Sequence, residues 1–338
     1  MHCFYVGSKR FSLIVWLIAI FALICFFNLR SANAEFRIGW KNQADIANFI
    51  QLDKKHQKVA RETIAWKKYD DDFKALHNLS IGQVDAVPVD MVTFLSVITV
   101  GLQGRVIAID RQYGKESALI VKSQKHIDTP QDLVGKNIAV PFMTSSYYSL
   151  LRYLQHNDIP VEKIHLVNMN YNEITQAWQK NEIDGAYADG TTVLPFVKDG
   201  HVLVDSSQLA KWGYPTYQVW VVMDEIISDQ PFWMESFVKK ILKNIDDNRR
   251  NIAYFTPQSP EVGQLAQLLD KSPEVVCSLL KQQTYLDKTQ QSLILSRYLS
   301  KEFNEIGLFM KAQKIMPDIL PDYLIYVYDS FIKNNKNN

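Results

Sequence analysis

The sequence predicts an α/β fold with a helical C-terminal third. Short apolar runs of strand length alternate with amphipathic helical stretches from Phe36 to Met223. A helix–turn–strand unit occurs twice, around Gly82-Gln83-Val84-Asp85-Ala86 and Asn181-Glu182-Ile183-Asp184-Gly185. Beyond Phe232 apolar residues recur three and four apart, through to Phe331.

Phe36–Trp40 and Thr63–Tyr69 read as strands, and Asp70–Asp72 supplies a cap and favourable dipole charge for a helix over Phe73–Ile81. Ala86–Val89 is a strand, and Val106–Asp110 and Ala118–Lys122 are short apolar runs. Then come a strand Asn137–Pro141, a helix Ser145–His156, a strand Ile164–Asn168, a helix Tyr171–Lys180, and strands Gly185–Ala188 and Val219–Met223. The polar tail Asn334–Asn338 reads as frayed. Asp85 and Asp184 read as turn residues, and each echoing unit feeds a strand that ends on an aspartate, Asp90 or Asp189. This echo fits two lobes built on one plan, with both strand ends at a single crevice, where open α/β sheets hold their ligands.

The N-terminus reads as an export signal. Lys9 and Arg10 precede an apolar run, Phe11–Leu29, and Ala32-Asn33-Ala34 gives an Ala-x-Ala ending, so cleavage is expected after Ala34. The run is also long enough for an uncleaved membrane anchor; a lipoprotein site at Cys25 fits less well beside the bulky Ile24 and Phe26. Of the 37 basic residues three fall in this segment and none of the 36 acidic ones does, so the remainder is slightly negative and does not suit a nucleic-acid partner. Cys277 alone remains of the 3 cysteines, which leaves no intrachain disulfide and reads as a small buried apolar residue. An export signal with one mature cysteine fits a bacterial periplasm.

The most informative stretch is Gly135–Leu151, GKNIAVPFMTSSYYSLL. It joins a strand to a helix through a loop of small hydroxyl residues. Free N–H groups and the helix dipole favour an anion there, and Thr144, Ser145 and Ser146 can add hydroxyl donors. Ordinary N-capping is the simpler alternative.

That segment, followed by AWQKNEIDGAY and YPTYQVWVV, resembles the taurine-binding periplasmic components of ABC importers, within the sulfonate, nitrate and taurine solute-binding group. The resemblance covers about Ala118–Val222, with a further likeness in Gln282–Gln290. It implies a two-lobed periplasmic binding fold with two chain crossovers (type II), one lobe of 35–117 plus 220–338 and another of 118–219, closing by a hinge on a small solute. It further implies a monomer that docks on an inner-membrane ABC permease, with no cofactor, no metal and no chemistry of its own. The loop Thr144-Ser145-Ser146, with Tyr147 and Tyr148 at or behind it, would lie in the cleft.

The departures bear on the solute. The family's first lobe is Ser- and Gly-rich where this chain has Asp70-Asp71-Asp72 and Val89-Asp90-Met91-Val92. Its acid before the Ala-Leu-x-Val strand is here Ser117, with Glu116 one residue early; an aspartate is replaced by Gln218, and an aromatic by Asp189. The anion side therefore reads as kept and the amine side as rearranged. Asp189 and Asp90 are candidates to pair with a cationic group, or else turn aspartates bonding their own backbone. Trp40 is a candidate ring at the cleft, with Tyr69, Tyr187, Tyr217 and Trp220 either lining it or packing in the core. Taurine or another small sulfonate or zwitterion is the expected solute. A cationic or heteroaromatic amine of thiamine-precursor type, an enzyme resembling pyrimidine-synthesis proteins and a sensor ectodomain are the alternatives. Gly-x-Ser-x-Gly, His-Glu-x-x-His, Walker and Gly-x-Gly-x-x-Gly motifs are absent, and the mature histidines show no helical metal spacing.

Overall fold

The computed structural model describes residues 35–53, 58–59 and 62–334; the expected export signal and the tail beyond Asn334 lie outside them. Two mixed sheets form the frame. The first takes β1 (Phe36–Trp40), β2 (Lys58–Val59), β3 (Glu62–Lys68), β4 (Ala86–Asp90), β5 (Gly104–Gln112) and, much later in the chain, a strand Tyr217–Met223, in the order β2-β3-β1-β4-(Tyr217–Met223)-β5. The second is built from β6 (Ser117–Lys122), β7 (Asn137–Val140), β8 (His165–Asn168), β9 (Gly185–Asp189) and β10 (Gly200–Asp205), in the order β10-β6-β9-β7-β8. The late strand is β11. The chain passes from the first sheet to the second between Gln112 and Ser117 and returns between Asp205 and Tyr217.

The sequence echo is a repeated tie between two strands. Gly82 and Asn181 both take left-handed backbone, at φ 66° and 58°, where a helix must turn sharply into a strand. Three residues on, Asp85 donates its N–H to Arg37 O at 2.7 Å and its carboxylate accepts Arg37 N–H at 2.8 Å. Asp184 does the same with Asn137, at 2.9 Å in each direction. Each carboxylate also holds a cation, Arg37 in two hydrogen bonds and Lys125 in an ion pair. These aspartates fix the register of the strands leading to Asp90 and Asp189.

Helices Pro231–Asn251, Pro260–Leu269, Pro273–Gln282 and Leu299–Ala312 fill the C-terminal third, as its periodicity predicts. The longest packs on the first sheet through Phe237, which meets the fully buried Trp220 edge-on at 5.3 Å. Helix Met91–Ile98 was not legible from periodicity: MVTFLSVI is buried almost all round and so lacks a polar stripe.

Candidate functional site

Both echoing strands deliver their final aspartates to the space between the sheets. In the first sheet Asp90 is paired in register with Gln218, and Gln218 with Arg111, so the three side chains lie in one row. In the second sheet Ser117 is paired with Asp189. All five are buried. Around them stand Lys41, which follows β1, Asp72 from the first turn of helix Asp72–Ser80, and Tyr113 and Glu116 from the crossover; Tyr171 opens helix Tyr171–Gln179.

The electrostatics of this crevice are acidic. Lys41 pairs with Asp72 at 2.5 Å. Burial pushes the Lys41 ammonium down, but Asp72, Asp189 and Asp90 together push it further up, so it stays charged. Arg111 is held by Glu116 at 3.7 Å and Asp110 at 3.6 Å, with Asp45 also acting on it. Burial raises Glu116 to about 8 against the pull of Arg111, and burial with the charge of Asp45 raises Asp110 to about 7. Burial also raises Asp189, opposed by Lys41 and Arg111. The Tyr113 and Tyr171 hydroxyls are held well above the usual phenol range, by burial first and then by Asp90, Asp189 and Asp72.

Asp90 has the most developed set of partners. Its Oδ1 accepts from Val92 N at 2.8 Å and Thr93 N at 3.0 Å, capping its own helix. The same carboxylate accepts from Ser145 N, at 3.0 Å to Oδ1 and 3.1 Å to Oδ2, reaching the helix Ser145–His156 of the second sheet. Thr93 Oγ1 donates to Met143 O at 3.0 Å beside it. Asp90 N–H in turn donates to Asp72 Oδ2 at 3.0 Å. Burial and the like charge of Asp72 raise Asp90 to about 6, against the donors that hold it down.

The hydroxyl loop therefore differs from the free anion cradle expected. Thr144 caps the helix, accepting from Tyr147 N at 3.3 Å and donating to Pro141 O at 2.6 Å. The Ser145 N–H is taken by Asp90, and the Ser146 hydroxyl lies 3.3 Å from the Tyr171 hydroxyl. Buried N–H groups need acceptors, and a carboxylate from the facing sheet supplies one. Asp189 precedes helix Gly190–Phe196 but does not cap it with its side chain. The Ser117 hydroxyl accepts from Ser206 at 3.0 Å, next to Tyr187, within a buried network. Gln218 leans towards Asp45 at 3.4 Å and leaves its Oε1 without a partner. Tyr147 stacks on Phe142 at 4.4 Å, and Tyr148 accepts from Arg152 at 3.0 Å. Half-buried Trp40 carries the chain's own Lys68 ammonium 5.3 Å from its ring centre. Of Asp70–Asp72, Asp71 is the cap, accepting from Lys74 N at 2.8 Å, while Asp72 turns inward to Lys41.

Sequence reading missed Lys41, Arg111, Tyr113 and Tyr171, and took Asp72 only as part of a helix cap. Lys41 adjoins Trp40 and Arg111 lies one residue past Asp110, so closeness to predicted strand ends was the available signal.

The comparisons with known proteins fit this layout. The taurine-binding periplasmic protein of Escherichia coli (strain K12) is 30% identical over 314 residues, 93% of this chain and 98% of that protein. This chain belongs to the family of taurine-binding periplasmic proteins. A family profile described as NMT1/THI5 like matches residues 106–251. The alkanesulfonate-binding protein SsuA of Xanthomonas axonopodis pv. citri, solved bound to MOPS, shares the fold at TM-score 0.70 and 18% identity, over 84% of this chain and 95% of that one. The desulfurization enzyme DSZB shares it at TM-score 0.62 and 12% identity, over 90% of this chain and 99% of that one.

Proposed function

We propose that this chain is the solute-binding component of an ABC importer, and that it holds one small zwitterion of the taurine class in the crevice between its two sheets. The observation that carries this is the relative matched along nearly the whole chain. The crevice adds support, because it sets Lys41 and Arg111 beside Asp72, Asp90 and Asp189 in a buried space suited to a solute with both charges. Each lobe would hold one of the two sheets and move about the crossovers between Gln112 and Ser117 and between Asp205 and Tyr217. This moves Ser117 to the second lobe and 217–219 to the first, relative to the bounds expected from the sequence, 35–117 with 220–338 and 118–219. Export to the periplasm with loss of 1–34, action as a monomer and delivery to an inner-membrane permease belong to the same reading, as does the absence of catalysis. The fold alone does not decide the last point, because a desulfurization enzyme shares it.

A second reading, a cationic or heteroaromatic amine, is favoured by one observation: carboxylates outnumber cations around the Tyr113 and Tyr171 hydroxyls. Both readings are tested by thermal denaturation of residues 35–338 against taurine, ethanesulfonate, nitrate and cationic amines. A true solute at 100 times its Kd adds about 2.7 kcal/mol of stability. Stabilisation by taurine supports the first reading, and stabilisation by amines alone replaces it with the second. If neither group raises the melting temperature, both fail.

A further inference from the structure

We propose that Asp90 is a tethered anion that sets the specificity of the crevice: its carboxylate occupies the helix N-terminus on which a free sulfonate would otherwise sit. This rests on the reading of the crevice as a solute site. One carboxylate serves the N-termini of two helices, Met91–Ile98 beside the first sheet and the 12-residue Ser145–His156 beside the second. Capping its own helix needs only the Val92 and Thr93 N–H groups, which serine or asparagine would satisfy. The bonds to Ser145 N reach 55 positions along the chain and add nothing to that cap.

Two further observations set this contact apart from routine capping. Ser145 is buried, and its hydroxyl lies close enough to the carboxylate to favour its charge, yet it makes no aligned hydrogen bond. A polar group held in that way at a helix start is available to an acceptor of other shape, such as a tetrahedral sulfonate. Asp72 lies near enough to Asp90 to disfavour its charge. A neutral cap would avoid that repulsion, so the position retains a negative charge at a cost to stability.

Two anions cannot share these donors. With Asp90 in place, any solute's sulfonate is turned away from these donors towards Lys41 or Arg111, and only a solute that also brings a cationic group gains from Asp90, Asp72 and Asp189. The crevice thus selects amine-bearing solutes over plain alkanesulfonates of the same size.

The test compares taurine with ethanesulfonate, which lacks the amine, by calorimetric titration of residues 35–338 as wild type, Asp90→Ser and Asp90→Asn. Serine and asparagine both cap helices, so circular dichroism and melting should report folded variants. Wild type is expected to bind taurine at least tenfold more tightly than ethanesulfonate. Each variant is expected to gain at least tenfold for ethanesulfonate and to lose most of that discrimination. Folded variants with unchanged or weaker ethanesulfonate binding overturn the proposal, including the case in which they bind neither probe. Failure of the underlying reading looks different, since no solute of the wider panel would then stabilise wild type.

Discussion

Replacing Asp72 by asparagine tests whether the crevice is held together by its charges. The Lys41–Asp72 pair spans 2.5 Å with both side chains only 10% exposed, so solvent screens it little. Removing one partner of such a pair leaves a buried charge uncompensated, at about 3–5 kcal/mol. Here the lower end applies, because Asp189 and Asp90 still act on Lys41, and an asparagine oxygen can keep the hydrogen bond from Asp90 N. The expected loss is about 3 kcal/mol. With a urea m-value near ~3 kcal/mol/M, the midpoint followed by tryptophan fluorescence falls by about 1 M with m unchanged. A fall below about 0.3 M would show that Lys41 finds an equal partner or leaves the crevice. The change also removes a like charge from Asp90, so the Asp90 carboxyl should titrate at lower pH in the variant.

Two more outcomes can be checked separately. Burial raises Glu302 to about 7 from an ordinary 4.5; the Tyr217 hydroxyl donates to its Oε1 at 3.3 Å, and its Oε2 has no partner. The folded protein then holds a proton that the unfolded chain releases. The resulting stability is complete below the unfolded pKa and is lost as pH rises towards 7, by about 3 kcal/mol at most. Glu302→Gln should therefore be relatively more stabilising at pH 8 than at pH 5, and an equal effect at both refutes the assignment. Asp85→Ala and Asp184→Ala should each cost about 2 kcal/mol, because each removes a carboxylate that bonds a strand N–H and a cation. They lie on different sheets and share no partner, so the double variant should lose the sum to within about 0.5 kcal/mol in chemical denaturation. A marked shortfall would mean that the two ties are not independent.

The difference between what the sequence disclosed and what it concealed follows from the range of each interaction. The Gly82 and Asn181 turns, the ties through Asp85 and Asp184 and the strands ending at Asp90 and Asp189 lie within a few residues of one another, so the repeat was legible as a spacing. The start of helix Ser145–His156 was legible for the same reason, since Thr144 caps it locally. The partners that give the crevice its character are non-local. Lys41 meets Asp72 from another element, Arg111 adjoins Gln218 only through strand pairing, and Asp90 reaches Ser145 only once the two sheets face each other. No local pattern could show that the hydroxyl loop and the aspartate were donor and acceptor of one contact. Read separately, the loop suggested a cradle for a solute's anion and Asp90 a partner for a solute's cation. Together they place the protein's own anion in the cradle, which moves the question of specificity from the loop to the residue that fills it.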